Sequence, residues 1–185
     1  MKKFCLSVLI LVVTISGVFA KPIWGFIYYQ DGTVKKVLLR VPWVEIRDRP
    51  DFHKLQKKIS YQHNFRSSSL YPWEATGFLF VDEIDTIRMV SFTPMLGFED
   101  PFFAKLENEG RLMLFKYFLP ADPEPVYLIQ DRNSVLMVDK INFKNFIEDY
   151  AQTCPQYFEG LQVGQNINEE LSLFISNYNQ NCVYE

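Results

Sequence analysis

Four sets of side chains in this 185-residue chain are able to do chemistry, and each set is sparse. The cysteines are Cys5, Cys154 and Cys182, and the histidines are His53 and His63. Acidic side chains gather at Glu74, Asp82, Glu83, Asp85, Glu99 and Asp100, while Trp24, Tyr28, Tyr29, Trp43, Tyr71 and Trp73 lie in or beside strand-like segments. Two histidines do not make a histidine-rich metal centre, and neither stands in an H-E-x-x-H setting. A nucleophilic site needs an activated Ser or Cys beside a base; the chain has no G-x-S-x-G elbow, and Ser67-Ser68-Ser69 reads as a polar loop. Glycine is never clustered, so no phosphate-cradling loop is expected and no cofactor is called for.

Two kinds of chemistry remain. The carboxylates offer an acid and base pair for glycoside hydrolysis, although most of them fall in turns, where acidic side chains usually face water. The aromatic residues offer a platform for a sugar or peptide. Within that set Tyr71, Trp73 and Glu74 stand out, because Trp73 sits in a turn between Pro72 and Glu74, where a large apolar side chain has less reason to be buried. Pro72 also restricts the backbone of Tyr71.

The compartment follows from the N-terminus. Lys2 and Lys3 precede a run from Phe4 to Ile15 that is nearly all apolar, and Val18 and Ala20 suit positions −3 and −1 of a cleavage site. Residues 1–20 therefore read as a cleavable signal, too short in their apolar part to span a bilayer, with residues 21–185 as one exported domain that has no transmembrane segment. Lys21 in place of a cysteine argues against a lipoprotein. Of 19 basic and 22 acidic residues, loss of Lys2 and Lys3 leaves a net charge of −5, which argues against a nucleic-acid surface.

Cys5 leaves with the signal. Cys154 and Cys182 then share an oxidising setting and are each other's natural partners in a disulfide; two buried free thiols are the alternative reading.

Most of the elements that must position these residues read as strands. Ile23–Tyr29 and Val34–Val41 flank Asp31-Gly32, a hairpin turn signal, and Asp131-Arg132-Asn133 joins Val126–Ile129 to Val135–Val138. Ile59–Phe65, Phe78–Val81 and Thr86–Thr93 also read as strands, Phe102–Leu106 is open between strand and helix, and Pro120, Asp122, Pro123, Glu124 and Pro125 mark an acidic turn.

From Asn142 the period changes. Phe143, Phe146, Ile147 and Tyr150 make one helical stripe capped by Asn142. Pro155 opens a second helix with Tyr157, Phe158 and Leu161 inward and Gly164 as its stop, and Asn168 caps a third carrying Leu171, Phe174, Ile175 and Tyr178. The fold class is α+β: a hairpin-rich antiparallel sheet or roll over 21–140, then about three helices over 141–185 packed on it.

The succession of Asp31-Gly32, Tyr71-Pro72-x-Glu74-x-x-Gly77-Phe78, Phe102-Phe103 with Glu109-Gly110 and Leu112-x-Leu114-Phe115, and Cys154-Pro155 with Tyr178-Asn179-x-x-Cys182 resembles a family of small exported proteins of unassigned function from Bacteroidota bacteria. The resemblance covers most of 21–185 and implies a Gram-negative envelope setting, periplasmic, outer-membrane-associated or extracellular. It carries no catalytic residue. The expected function is a non-enzymatic exported protein that binds an envelope protein or glycan; the alternative is a small carboxylate-dependent hydrolase acting on polysaccharide.

Overall fold

The computed structural model describes residues 19–83, 85–93, 99–119, 124–132, 134–160, 163–164 and 166–182. Residues 1–18 of the expected signal, Pro120, Asp122 and Pro123 of the acidic turn, Asn133 and Leu161 lie outside the described residues.

The architecture is α+β. Eleven strands among the described residues form one antiparallel sheet: β1 (Ala20–Tyr29), β2 (Val34–Val44), β3 (Arg49–Pro50), β4 (Ile59–His63), β5 (Arg66–Leu70), β6 (Ala75–Asp82), β7 (Asp85–Phe92), β8 (Phe102–Asn108), β9 (Leu112–Phe118), β10 (Pro125–Asp131) and β11 (Ser134–Val138). Their order across the sheet is β11-β10-β9-β8-β7-β6-β1-β2-β4-β5, with β3 on β2. The sheet is larger than a simple hairpin roll. Four α-helices, α1 (Phe52–Leu55), α2 (Phe143–Gln152), α3 (Pro155–Phe158) and α4 (Ile167–Asn181), and a 3-10 turn at Glu45–Arg47 complete the described elements, and no helix among them is long and apolar enough to cross a membrane.

Chain geometry forces one end of this sheet to curl. Between β5 and β6 lie three other strands, so four strand spacings of about 4.8 Å, roughly 19 Å, would separate them in a flat sheet. Only Tyr71–Glu74 joins them, and that segment is folded into a turn by a 3.0 Å bond from the Glu74 N–H to the Tyr71 carbonyl. Strands β1, β2, β4, β5 and β6 must therefore roll toward one another. Two glycines permit the close approach: a Cβ on Gly25 would stand 2.4 Å from the Leu79 carbonyl oxygen, and one on Gly77 would stand 2.3 Å from that of Met89. Ile27, Val37, Leu39, Phe78, Phe80, Met89 and Phe103 fill the inside.

The chain after β3 closes the open side of the roll. Asp51 caps α1 by accepting from the Lys54 N–H, Phe52 stacks on Phe118 at 5.0 Å, and the Gln56 carbonyl accepts from the Phe103 N–H at 2.9 Å. Gln56 is itself buried. Further along the sheet, α2, α3 and α4 cover Leu112, Leu114, Tyr127, Ile129 and Val138 with Phe146, Ile147, Leu171, Phe174, Ile175 and Tyr178. The Cys154–Cys182 disulfide, with α-carbons 5.9 Å apart, ties the start of α3 to the end of α4.

Several local expectations are corrected. Ser67-Ser68-Ser69 is not a loop but the middle of β5, held against β4 by the tight turn at Asn64-Phe65, both left-handed at φ 49° and 62°. Phe102–Leu106, open between strand and helix in the sequence, belongs to a strand, paired with β7 and β9. Asn142 stands at the N-cap of α2 as expected but makes no side-chain capping bond; its side chain accepts from the Asp139 N–H, while Asp139 accepts from the Ile141 and Asn142 N–H groups. α3 ends at Phe158, well before Gly164, because Gly160 turns left-handed at φ 74°, and Tyr157 is exposed rather than inward. Asn166, not Asn168, precedes α4, and Asn168 instead accepts from the Tyr127 hydroxyl.

Candidate functional site

The turn between β5 and β6 brings Tyr71, Trp73 and Glu74 together at a rim of the roll. Pro72 occupies the second position of a β-turn, where its fixed φ is suited. Each carbonyl from Tyr71 to Trp73 is then taken by a different donor. The Glu74 N–H reaches Tyr71, the Ser91 hydroxyl reaches Pro72 at 2.5 Å from β7, and the Gln30 side chain reaches Trp73 at 3.0 Å from the end of β1. Glu74 Oε2 accepts from the Tyr71 N–H at 2.8 Å. Three parts of the chain thus fix the turn.

The side chains on this turn are not buried to match. Trp73 is 57% exposed, and its ring lies parallel to that of Tyr71, with centroids 4.7 Å apart and planes 11° off parallel. Tyr71 supports one indole face and leaves the other open.

Tyr29 from β1 and Tyr61 from β4 stand beside the turn. Burial, the Tyr61 hydroxyl and the nearby charges of Glu74 and Asp31 hold the Tyr29 hydroxyl far above the usual phenol range, so it is a neutral donor at every physiological pH. The Lys35 ammonium lies 4.9 Å from the Tyr29 ring centre. The rim therefore combines an open aromatic face, a carboxylate and phenolic hydroxyls. Tyr29 belongs to the aromatic set singled out in the sequence, but Tyr61 does not, and both stand at positions of the strand alternation that face the roll interior, as core residues do. Only the curl of the sheet places them at its mouth.

The remaining candidates are dispersed. Asp82 and Glu83 meet Lys21 at 3.7 and 3.3 Å, Asp85 meets Lys105 at 3.7 Å, and Glu99 and Asp100 are exposed. Of the carboxylates singled out in the sequence, Asp82 and Glu83 thus share Lys21, Asp85 is on Lys105, and Glu74 is on the Tyr71 N–H. His53 lies edge-on to Phe118, His63 ends β4, and among the described residues no three metal-ligating side chains come together. Trp43 is buried with its indole N–H on Asp48, whereas Trp24 is 62% exposed.

Two further charge clusters reside in the sheet. Lys105 and Lys116 are directly opposed on β8 and β9, an unfavourable like-charge pair that Glu107 bridges at 2.9 and 3.2 Å. Asp131 accepts from the Tyr150 hydroxyl at 3.2 Å and faces Arg111 at 3.9 Å. Both clusters are answered from within the fold and read as structural.

Comparison of the chain with protein-family models, with curated proteins and with solved structures returns no match.

Proposed function

We propose that this chain is an exported, non-enzymatic binding protein, and that it holds a glycan on the Tyr71–Trp73–Glu74 rim. The observation that carries the reading is the open face of Trp73 on a turn whose three successive carbonyls are already taken. A platform fixed before the ligand arrives loses little conformational freedom on binding. A pyranose ring suits it: its C–H face covers indole, and its hydroxyls find an acceptor in Glu74 and, because the Tyr29 hydroxyl is spent on Tyr61, a single phenolic donor in that pair.

The export part of the proposal rests on the N-terminal charge and apolar pattern. The disulfide and the lack of a membrane-length helix among the described residues are compatible with it. The glycosidase alternative is less well supported, because Asp82 and Glu83 are tied to Lys21, Asp85 to Lys105 and Glu74 to the Tyr71 N–H.

Retention on immobilised polysaccharides, compared between the native chain and Trp73→Ala, tests the proposal. Retention of the native chain on at least one glycan, lost in the variant at unchanged melting temperature, supports it. Equal retention of both proteins, or of neither on any glycan, counts against it.

A further inference from the structure

We propose that the outer face of β1, β2 and β6 is a docking surface for an anionic lipid layer. This surface is separate from the Trp73 rim. Strand alternation sends Gly25, Ile27, Val37, Leu39, Phe78 and Phe80 toward the roll interior, so Trp24, Phe26, Leu38, Leu79 and Val81 face out. Register makes them neighbours. Trp24 is opposite Leu38, Phe26 is opposite Leu79, and Val81 follows Phe80, the partner of Gly25, which puts it beside Trp24. Trp24, Phe26 and Val81 are 62%, 39% and 59% exposed, a contiguous apolar patch rather than a single stray side chain.

The charge around the patch identifies its occupant. Lys36 is opposite Phe26, Arg40 is opposite Pro22, and Arg88 is opposite Leu79. The Lys36 ammonium lies 5.6 Å from the Trp24 ring centre, Arg40 reaches Gln62, and Arg88 holds Glu109 through two contacts of 3.0 and 3.1 Å. Glu83, at the far end, is paired with Lys21. Arg88 is thus matched by Glu109 and Glu83 by Lys21, which leaves Lys36 and Arg40, neither drawn to an acid among the described residues, bordering an apolar centre on a chain whose formal net charge is −3. The complement is a surface that is apolar beneath a layer of negative charge.

Shape separates lipid from protein as the source of that surface. The patch lies on the outside of a rolled sheet, and the described cavities lie instead against the helices, lined by residues such as Tyr157, Leu173, Pro155 and Ile167. A fluid headgroup layer moulds itself to a convex face without a groove to specify it. Indole beside ammonium is also the pairing favoured at a membrane interface, with the ring at headgroup level and the cation on lipid phosphate.

The test is co-sedimentation of the protein, expressed from its full coding sequence, with phosphatidylcholine vesicles that contain or lack phosphatidylglycerol. Binding to the anionic vesicles alone, weakened by salt and reduced about tenfold or more in Lys36→Glu/Arg40→Glu, is the expected result. Trp24→Ala should weaken capture similarly at unchanged melting temperature, and Val81→Ser is the second variant should Trp24→Ala unfold. Failure to sediment, equal capture by neutral vesicles, or capture that none of these substitutions changes would overturn the proposal. So would lipid-independent self-association that Trp24→Ala abolishes, since the face would then belong to a second copy of the chain.

Discussion

Gln56 treats Phe118 as a neighbouring strand would. Its side-chain amide accepts from the Phe118 N–H at 2.5 Å and donates to the Phe118 carbonyl at 2.9 Å, so a glutamine side chain stands in for a peptide unit at the end of β9. Asn179 of α4 does the same at the other end of that strand, accepting from the Leu112 N–H at 2.9 Å and donating to its carbonyl at 2.8 Å. Gly110 leaves the room for it, because a Cβ there would stand 2.4 Å from the Asn179 amide nitrogen. One central strand is thereby fastened to the α1 segment at one end and to the C-terminal helix at the other.

Gln56→Ala is therefore expected to destabilise the protein by about 2–4 kcal/mol, since it strands both backbone groups of Phe118. Gln56→Glu should not rescue it, because a carboxylate cannot donate to the Phe118 carbonyl. Denaturant unfolding of both variants checks this. A loss below about 0.5 kcal/mol for Gln56→Ala would place those backbone groups in contact with water instead.

The sequence makes some of this arrangement legible and hides the rest for physical reasons. Asp31-Gly32 announces the first hairpin because its chemistry is local: Asp31 accepts from the Thr33 N–H and hydroxyl at 2.9 and 2.6 Å, and Gly32 takes φ 81°. The stripe of Leu171, Phe174, Ile175 and Tyr178 is equally plain, and all four side chains are buried. β5 is hidden because Ser67-Ser68-Ser69 carries no apolar alternation, its pairing with β4 imposing the strand. Gln56 is hidden because its partner lies 62 residues away. Trp73 could be singled out from its turn, but the donors that fix that turn, Gln30 and Ser91, belong to distant strands.

Opening the Cys154–Cys182 bond should cost about 3–4 kcal/mol, the chain-entropy value for a loop of this length. Unfolding of the Cys154→Ser/Cys182→Ser variant measures it. Alkylation before reduction gives an independent check, since two reactive thiols in protein recovered from its native compartment would contradict the bond.

Alkaline pH should weaken the fold through its raised tyrosines, Tyr127 and Tyr150 among them. Burial, followed by the charges of Glu107 and Glu124, pushes the Tyr127 hydroxyl up to about 12. Burial and then Asp131 push Tyr150 up to about 12 as well. An unfolded tyrosine releases its proton near 10, so the folded state binds more protons than the unfolded state between these values. Their contribution is whole below about pH 10 and is lost as pH rises toward about 12. Melting temperature against pH, read beside tyrosinate absorbance, should fall in that window, with a smaller fall in Tyr127→Phe.

The glycan-binding proposal is tested most directly by the indole N–H region of a nitrogen–proton correlation spectrum, in which Trp24, Trp43 and Trp73 each give one signal. Titration with a glycan retained by the native protein should shift the Trp73 signal, leave the buried Trp43 signal in place, and lose its effect in Trp73→Ala. Movement of the Trp24 or Trp43 signal with Trp73 unmoved, or an unaltered spectrum at saturating glycan, would contradict binding on the Tyr71–Trp73 rim.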